Sequence, residues 1–186
     1  SSPENKVKVY VGNDEPTQVK DVNLAIDPET GVAKLTWSPV TTGINGGYIG
    51  NITYNVVRYP DSTTVATGLA ATEFTETFSA EEPLQTYSYG VAAVNDTQTG
   101  VAGISNKSVF GAAIVPPYSE PLDNEGALEL YTIIDNNEDG STWEFNEKEG
   151  AASYKYSRVN DGDDWLITPA IQLKGGKLYS VSFETC

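Results

Sequence analysis

The sequence predicts an all-β protein. Apolar residues recur at every second position in short runs, which is the period of a strand with one buried face. Valine, threonine and tyrosine are frequent, with 11 tyrosines among 186 residues, and these residue types favour strands. The chain also has 17 glycines and 10 prolines, which predict turns between the runs. This length suffices for one large domain, or for one ordinary domain and part of another.

The first predicted strand stands apart from those that follow. In "KVKVYVG", Val7, Val9 and Val11 share one face, and a glycine and a proline come soon after. We predict that residues 1–15 are the terminal strand of an upstream β domain or a linker. An extra edge strand on the next domain is the alternative.

Seven short strands are predicted between residues 22 and 110. They are "DVNLAI", "VAKLTW", "ITYNVVRY", "TVAT", "TEFTETF", "TYSYGVAAVN" and "VAGISNKSVF". Seven strands with an early tryptophan, Trp37, and a late tyrosine, Tyr87, are typical of an immunoglobulin-like β-sandwich.

Residues 16–113 resemble a fibronectin type III domain. Trp37 in "VAKLTWSPV" is similar to the strand B tryptophan of that family, and "ITYNVVRY" is similar to its strand C. Leu84 and Tyr87 in "PLQTYSYGVAAVN" resemble the leucine and the corner tyrosine at the start of strand F. The resemblance implies that the Tyr87 hydroxyl bonds back across the corner. It constrains function little, because this fold serves many unrelated binding and spacer roles.

Pro116 and Pro117 mark a change in the pattern, because proline cannot donate a hydrogen bond to a helix or a sheet. We predict a stiff linker over residues 114–118 and a second domain over residues 119–186.

The second domain resembles the jelly-roll modules called cleaved adhesin or choice-of-anchor J domains. The resemblance is carried by "YSEPLDNEGALELYTIIDNNEDGSTWEF" and by "NDGDDWLITPAIQLKGGKLYSVSFE". It implies a secreted or surface protein of a Gram-negative bacterium, like the gingipain-type peptidases that carry such modules. About 70 residues are fewer than a whole jelly roll needs, so we expect only its N-terminal part.

A candidate calcium loop lies in "DNNEDGSTW". Asp135, Asn137 and Asp139 place oxygen ligands at alternate positions, and calcium prefers six to eight oxygens. An EF-hand is excluded because residue 146, where its bidentate glutamate would stand, is asparagine. The family resemblance implies a structural calcium site that also uses Asp123. The alternative is a solvated turn in which these side chains cap nearby amides.

Three further features have two interpretations each. Tyr154 and Tyr156 share one strand face, on which a sugar could stack, or that face packs inward. Trp165 is expected in the core, and Asp161, Asp163 and Asp164 before it either approach a ligand or keep the loop solvated. Ser62 in "DST" resembles an O-glycosylation signal of exported bacterial proteins, or the match is accidental.

The formal charge of −15 argues against nucleic acid and against an anionic membrane surface as partners. The chain has no histidine, and its single cysteine is Cys186. Those counts exclude a Ser-His-Asp or Cys-His catalytic group within this chain, a histidine-cysteine zinc site and an intrachain disulfide.

The leading hypothesis is a non-catalytic, adhesin-like module that binds carbohydrate or a host or matrix protein, with the fibronectin type III domain as spacer. The alternative is an accessory region of a secreted peptidase or glycosidase whose catalytic domain lies outside this chain. A structural stalk is a third possibility.

Overall fold

The computed structural model describes residues 10–155 and 158–185, and their contacts divide the chain into two compact units. The first unit extends to Phe110, and the second begins at Gly111. The strand predicted around Val7 and Val9, as well as Tyr156 and Cys186, lies outside the described residues. The all-β prediction is confirmed, since every helical residue described belongs to one short 3-10 helix.

The first unit consists of two antiparallel sheets. One sheet has the order β1-β2-β5, with β1 at Asn23–Ile26, β2 at Val32–Thr36 and β5 at Glu73–Thr77. The other has the order β4-β3-β6-β7, with β3 at Thr53–Tyr59, β4 at Thr63–Leu69, β6 at Gln85–Val94, β7 at Gly103–Ile104 and β8 at Ser108–Phe110 beside β6. Three strands facing four, in this order, form the predicted immunoglobulin-like sandwich of fibronectin type III type.

The core of this sandwich is apolar and aromatic, as the alternating pattern requires. Trp37 packs edge-on against Tyr54 with ring centroids 5.3 Å apart. Tyr87, which is 2% exposed, stacks on Phe78 at 4.1 Å, and its hydroxyl accepts a hydrogen bond of 2.8 Å from the Gln85 side chain. The bond across the corner that the family resemblance implies for Tyr87 stays a prediction.

The strand predicted over "VAGISNKSVF" is divided into β7 and β8. At the break, Ser105 donates its amide to the carbonyl of Tyr89 at 2.9 Å. The Asn106 side chain bonds both backbone groups of Leu24, accepting from the amide at 2.8 Å and donating to the carbonyl at 2.9 Å. Asn106 therefore connects the last strands to β1 of the opposite sheet.

The residues that follow the masked N-terminal segment belong to the first unit in this structure. The fully buried carboxylate of Asp14 accepts hydrogen bonds from the amides of Glu15, Asn45 and Gly47 and from the Asn45 side chain, at 2.8–2.9 Å. The Asn95 side chain donates to the Asp14 carbonyl at 2.8 Å. Residues 13–15 thus differ from the separate segment that we expected, because a buried carboxylate ties them to two loops of the sandwich.

The second unit contains short elements. A 3-10 helix at Glu125–Leu130 precedes β9 at Thr132–Asp135, β10 at Trp143–Asn146, β11 at Ala151–Tyr154 and β12 at Asp164–Ile167. Two antiparallel ladders form, β10 with β11 and β9 with β12. Ile114 pairs in parallel with Ile171, so the first residue of the predicted linker is part of this unit. The partial jelly roll stays a prediction. No helix among the described residues is long and apolar enough to span a membrane.

Candidate functional site

Two acidic loops meet at one end of the β9-β12 ladder. The first loop, residues 136–141, leaves β9, and the second, residues 160–163, enters β12. Their strands are paired so that Asp135 lies directly opposite Asp164. The site therefore includes the predicted calcium loop and a stretch in which sequence analysis assigned no ligand.

Asp135 organises the first loop. Its carboxylate accepts the amide of Asp139 at 3.2 Å and the amide of Gly140 at 2.8 Å. Gly140 has a φ of +77°, a conformation that glycine adopts without strain. The loop is thus a turn in which an aspartate satisfies nearby backbone amides, as in the alternative interpretation of this sequence, while each oxygen of Asp135 keeps a further lone pair.

Asparagine side chains connect the two loops. Asn136 donates to the Asp163 carboxylate at 2.6 Å, and Asn137 donates to the carbonyl of Asp161 at 2.8 Å. Asn160 donates to the Asp139 carboxylate at 3.1 Å. These contacts hold both loops in one arrangement, and the interpretation of Asp163 as merely solvated is incomplete.

Hydrogen bonding also favours the charged form of Asp139. The amide of Ser141, at 2.7 Å from its carboxylate, and the Asn160 side chain together lower the pKa of Asp139 below its usual value. This carboxylate is therefore negatively charged at neutral pH.

A buried polar group lies under these loops. Both carboxylate oxygens of Asp164 are buried and have no hydrogen-bond partner. The buried Tyr154 hydroxyl lies beside this carboxylate without the alignment of a hydrogen bond, and burial followed by the Asp164 charge raises the pKa of Tyr154. Gly162 lies against the same hydroxyl, and a Cβ there would come within 2.8 Å of it.

The residues fit a calcium ion in their chemistry but are not gathered into a finished cage. Carboxylate, amide and carbonyl oxygens are the ligands that calcium takes, and the unpartnered oxygens of Asp164 are available for it. The described residues contain no group of three acidic, histidine or cysteine side chains arranged around one ion position. Asp123 bonds the neighbouring Asn124 side chain at 2.9 Å, and no contact described for Asp123 reaches the loop of Asp135, Asn137 and Asp139.

The opposite face of the β9-β12 ladder is apolar and exposed. Trp165 is 59% exposed and lies opposite Ile134, which is 40% exposed. Ile167, two residues after Trp165, is 42% exposed on the same face. The prediction that Trp165 belongs to the core is wrong, because Asp164 and Leu166 take the covered face of this strand.

The remaining predicted residues are placed as follows. Tyr154 packs against Trp143 with ring centroids 6.0 Å apart and turns its hydroxyl inward, while Tyr156 lies outside the described residues. Ser62 is exposed in the turn between β3 and β4, with a φ of +55°. Its neighbour Asp61 is bonded to Arg58 at 2.7 Å.

The signal for the two residues missed by sequence analysis was present in "DWLI". A period of two places Asp164 with Leu166 and Trp165 with Ile167, but it does not say which pair is covered.

Solved structures with a similar fold include FN3tt, which is 17% identical and covers 52% of this chain and 95% of its own, with a TM-score of 0.40. A Fn3-like protein from Clostridium thermocellum is 25% identical over 56% of this chain and 94% of its own, with a TM-score of 0.37. The FN1–FN3 domains of chicken CNTN1 are 17% identical over 84% of this chain and 59% of theirs, with a TM-score of 0.37. No protein-family model and no curated protein matches the chain. These structural neighbours are fibronectin type III domains, and the strand order of the first unit identifies the same fold independently.

Proposed function

We propose that this chain is a non-catalytic part of an extracellular or surface protein, and that its second unit binds carbohydrate or an extracellular protein through the exposed face of Trp165, Ile134 and Ile167. The observation that carries the proposal is the 59% exposure of Trp165. Large exposed apolar faces on soluble proteins commonly mark binding sites. The first unit serves as the spacer, and the family resemblance favours a Gram-negative bacterial source.

Trp165 suits both classes of ligand. An indole ring offers a broad apolar face for a sugar ring or an aliphatic side chain, and its N–H can donate a hydrogen bond. Tryptophan is also enriched among the residues that contribute most to protein–protein affinity. Ile134 and Ile167 extend this face on the adjacent strand and along β12, so the ligand meets a continuous apolar surface rather than one isolated ring.

Calcium is the proposed structural partner of the acidic loops. Asp135, Asn137 and Asp139 would hold the ion, which would reduce the freedom that the loops lose when a ligand binds. The covered and exposed sides of the β9-β12 ladder would then have separate roles, with the metal on one side and the ligand on the other.

The test is an array of glycans and matrix proteins probed with the full chain, once with calcium and once with chelator. Trp165→Ala is compared with Tyr48→Ala, which removes another exposed aromatic residue, 73% exposed, from the first unit. We expect Trp165→Ala to abolish binding and Tyr48→Ala to retain it. Equal binding by the two variants, or no binding by the folded wild-type chain, would reject this role for the Trp165 face.

We also propose that Ser62 is an O-glycosylation site. Its exposure in the β3-β4 turn would admit a modifying enzyme. Intact-mass and peptide analysis of the protein from its natural source should show added sugar on the peptide that contains Ser62. A fully unmodified peptide from exported protein would contradict the assignment.

A further inference from the structure

We propose that Asp164 completes a calcium site with Asp135 and Asp139, and that this ion stabilises the strand pair that carries Trp165. The inference rests on the calcium role proposed above and names a ligand and a consequence that sequence analysis did not include. It replaces Asp123, the ligand implied by the family resemblance, with a residue of β12.

Strand register brings the first two carboxylates together. Asp135 and Asp164 are direct partners in the antiparallel ladder. Side chains at such positions lie on the same face with their Cβ atoms about 5 Å apart, and like charges placed there repel each other. The pairing is destabilising unless a positive charge lies between the two side chains, and an ion would supply that charge.

Burial makes this need greater for Asp164. Both of its oxygens are removed from solvent and no protein group donates to them. A buried carboxylate without a partner loses its hydration and receives nothing in exchange. Asp135 and Asp139, in contrast, already accept amides from their own loop. Asp164 is thus the group in this site whose surroundings lack a counter-charge.

The donor set selects calcium among common ions. The available ligands are oxygens of Asp135, Asp139 and Asp164 and of nearby amides and carbonyls, whereas histidine is absent from the chain and the only cysteine is residue 186. Calcium tolerates irregular geometry and flexible loops, while magnesium demands a near-ideal octahedron. The loops of residues 136–141 and 160–163 are already connected by asparagine side chains, so modest side-chain rotation would bring the carboxylates to one ion.

The ion would act on the ligand face through β12. Asp164 and Trp165 are adjacent residues whose side chains point to opposite faces of the strand. An ion that fixes Asp164 against Asp135 therefore fixes the backbone of Trp165 against Ile134. Calcium would in this way favour the arrangement in which the apolar face is continuous.

The experiment compares the full wild-type chain with Asp164→Asn and with Asp123→Asn as the matched control. Thermal unfolding is measured in chelator and across a calcium titration, and calcium affinity is measured by calorimetry, without any sugar or protein ligand. Because Asp164→Asn removes an unpaired charge, we expect it to melt at or above the wild-type temperature in chelator. In saturating calcium the order should reverse, because an ion that binds the folded state stabilises it.

The affinity of Asp164→Asn should fall at least about tenfold, since even residues behind the metal ligands commonly have effects of that size. Asp123→Asn should bind as the wild type does.

The proposal is overturned if the wild-type chain binds no calcium, if Asp164→Asn binds as tightly as the wild type, or if this variant melts lower or is unfolded in chelator. Calcium binding that depends on Asp164, together with an empty array, would reject only the ligand-binding role. Array binding that ignores chelator would leave the ligand face intact and reject the coupling to calcium.

Discussion

A hydrogen bond between the two sheets of the first unit offers a quantitative test of its packing. Tyr89 on β6 is fully buried, and its hydroxyl donates to the carboxylate of Glu76 on β5. The same carboxylate is paired with Arg58 at 2.8 Å. Burial and the Glu76 charge raise the pKa of Tyr89, so the hydroxyl keeps its proton at neutral pH. Tyr89→Phe removes this donor and leaves the ring in place.

Hydrogen bonds to charged groups contribute about 1.5–3 kcal/mol. Glu76 would keep its Arg58 partner in the variant, so we expect a loss of about 2 kcal/mol rather than the full effect of an unpaired charge. With a urea dependence of about 2 kcal/mol per molar, the midpoint of unfolding should fall by about 1 M. Glu76→Gln should reduce the effect of Tyr89→Phe, which a double-mutant cycle measures as coupling.

The assay follows Trp37 fluorescence in urea, because this tryptophan lies in the core of the first unit at 5% exposure. The other two of the three tryptophans are Trp143 and Trp165, which are changed to phenylalanine in every variant so that only the first unit is reported. A loss below about 0.5 kcal/mol, the range of ordinary surface substitutions, would refute the reasoning. Absence of coupling to Glu76 would refute it as well.

Two other predictions concern the first unit. The Arg58 side chain lowers the pKa of Asp61 far below its unfolded value, so Asp61 should stabilise the fold above about pH 4 and lose this effect as the pH falls; Asp61→Asn should flatten the acid side of a stability profile, and an unchanged profile would contradict this. Gly43→Ala should lower stability by about 1–3 kcal/mol because its Cβ would collide with the buried Asp14 carboxylate, whereas Gly175→Ala, with no atom within 4 Å of the new Cβ, should stay within about 0.5 kcal/mol; equal melting temperatures would show that the loop yields freely.

The sandwich was predictable because its pattern and its environment agree. Alternation in strands such as "VAKLTW" places Ala33, Leu35 and Trp37 on one face, and the structure buries all three. Turn residues between the strands then fix the order in which neighbouring runs pair. Local sequence and global packing point to the same fold throughout this unit.

The second unit was harder to predict because alternation does not say which face is covered. The same four residues, "DWLI", predict a strand equally well with Trp165 inside or Asp164 inside. We expected the larger apolar residue in the core, and the pairing with β9 gives the opposite result. Which face is covered depends on the partner strand and the loops above it, not on the strand's own composition.

Asp14 was missed for a different reason. In "GNDEP" it resembles any solvated turn residue, and its partners Asn45 and Gly47 lie 31 and 33 positions further along the chain. Their bonds to Asp14 exist only once the sandwich has formed. No local signal marks a carboxylate that is buried by distant backbone amides.

The anchoring of residues 13–15 has a mechanical consequence for a spacer. A pulling force applied from the N-terminal side reaches the bonds around Asp14 before it reaches the core strands. Asp14 also donates its amide to the carbonyl of Tyr48 at 2.7 Å, and the Gln98 side chain holds the carbonyl of Asn13 at 3.0 Å. Because these bonds belong to two separate loops, tension is divided between them, and the first rupture in a stretching experiment should release Asp14 while the sandwich stays folded.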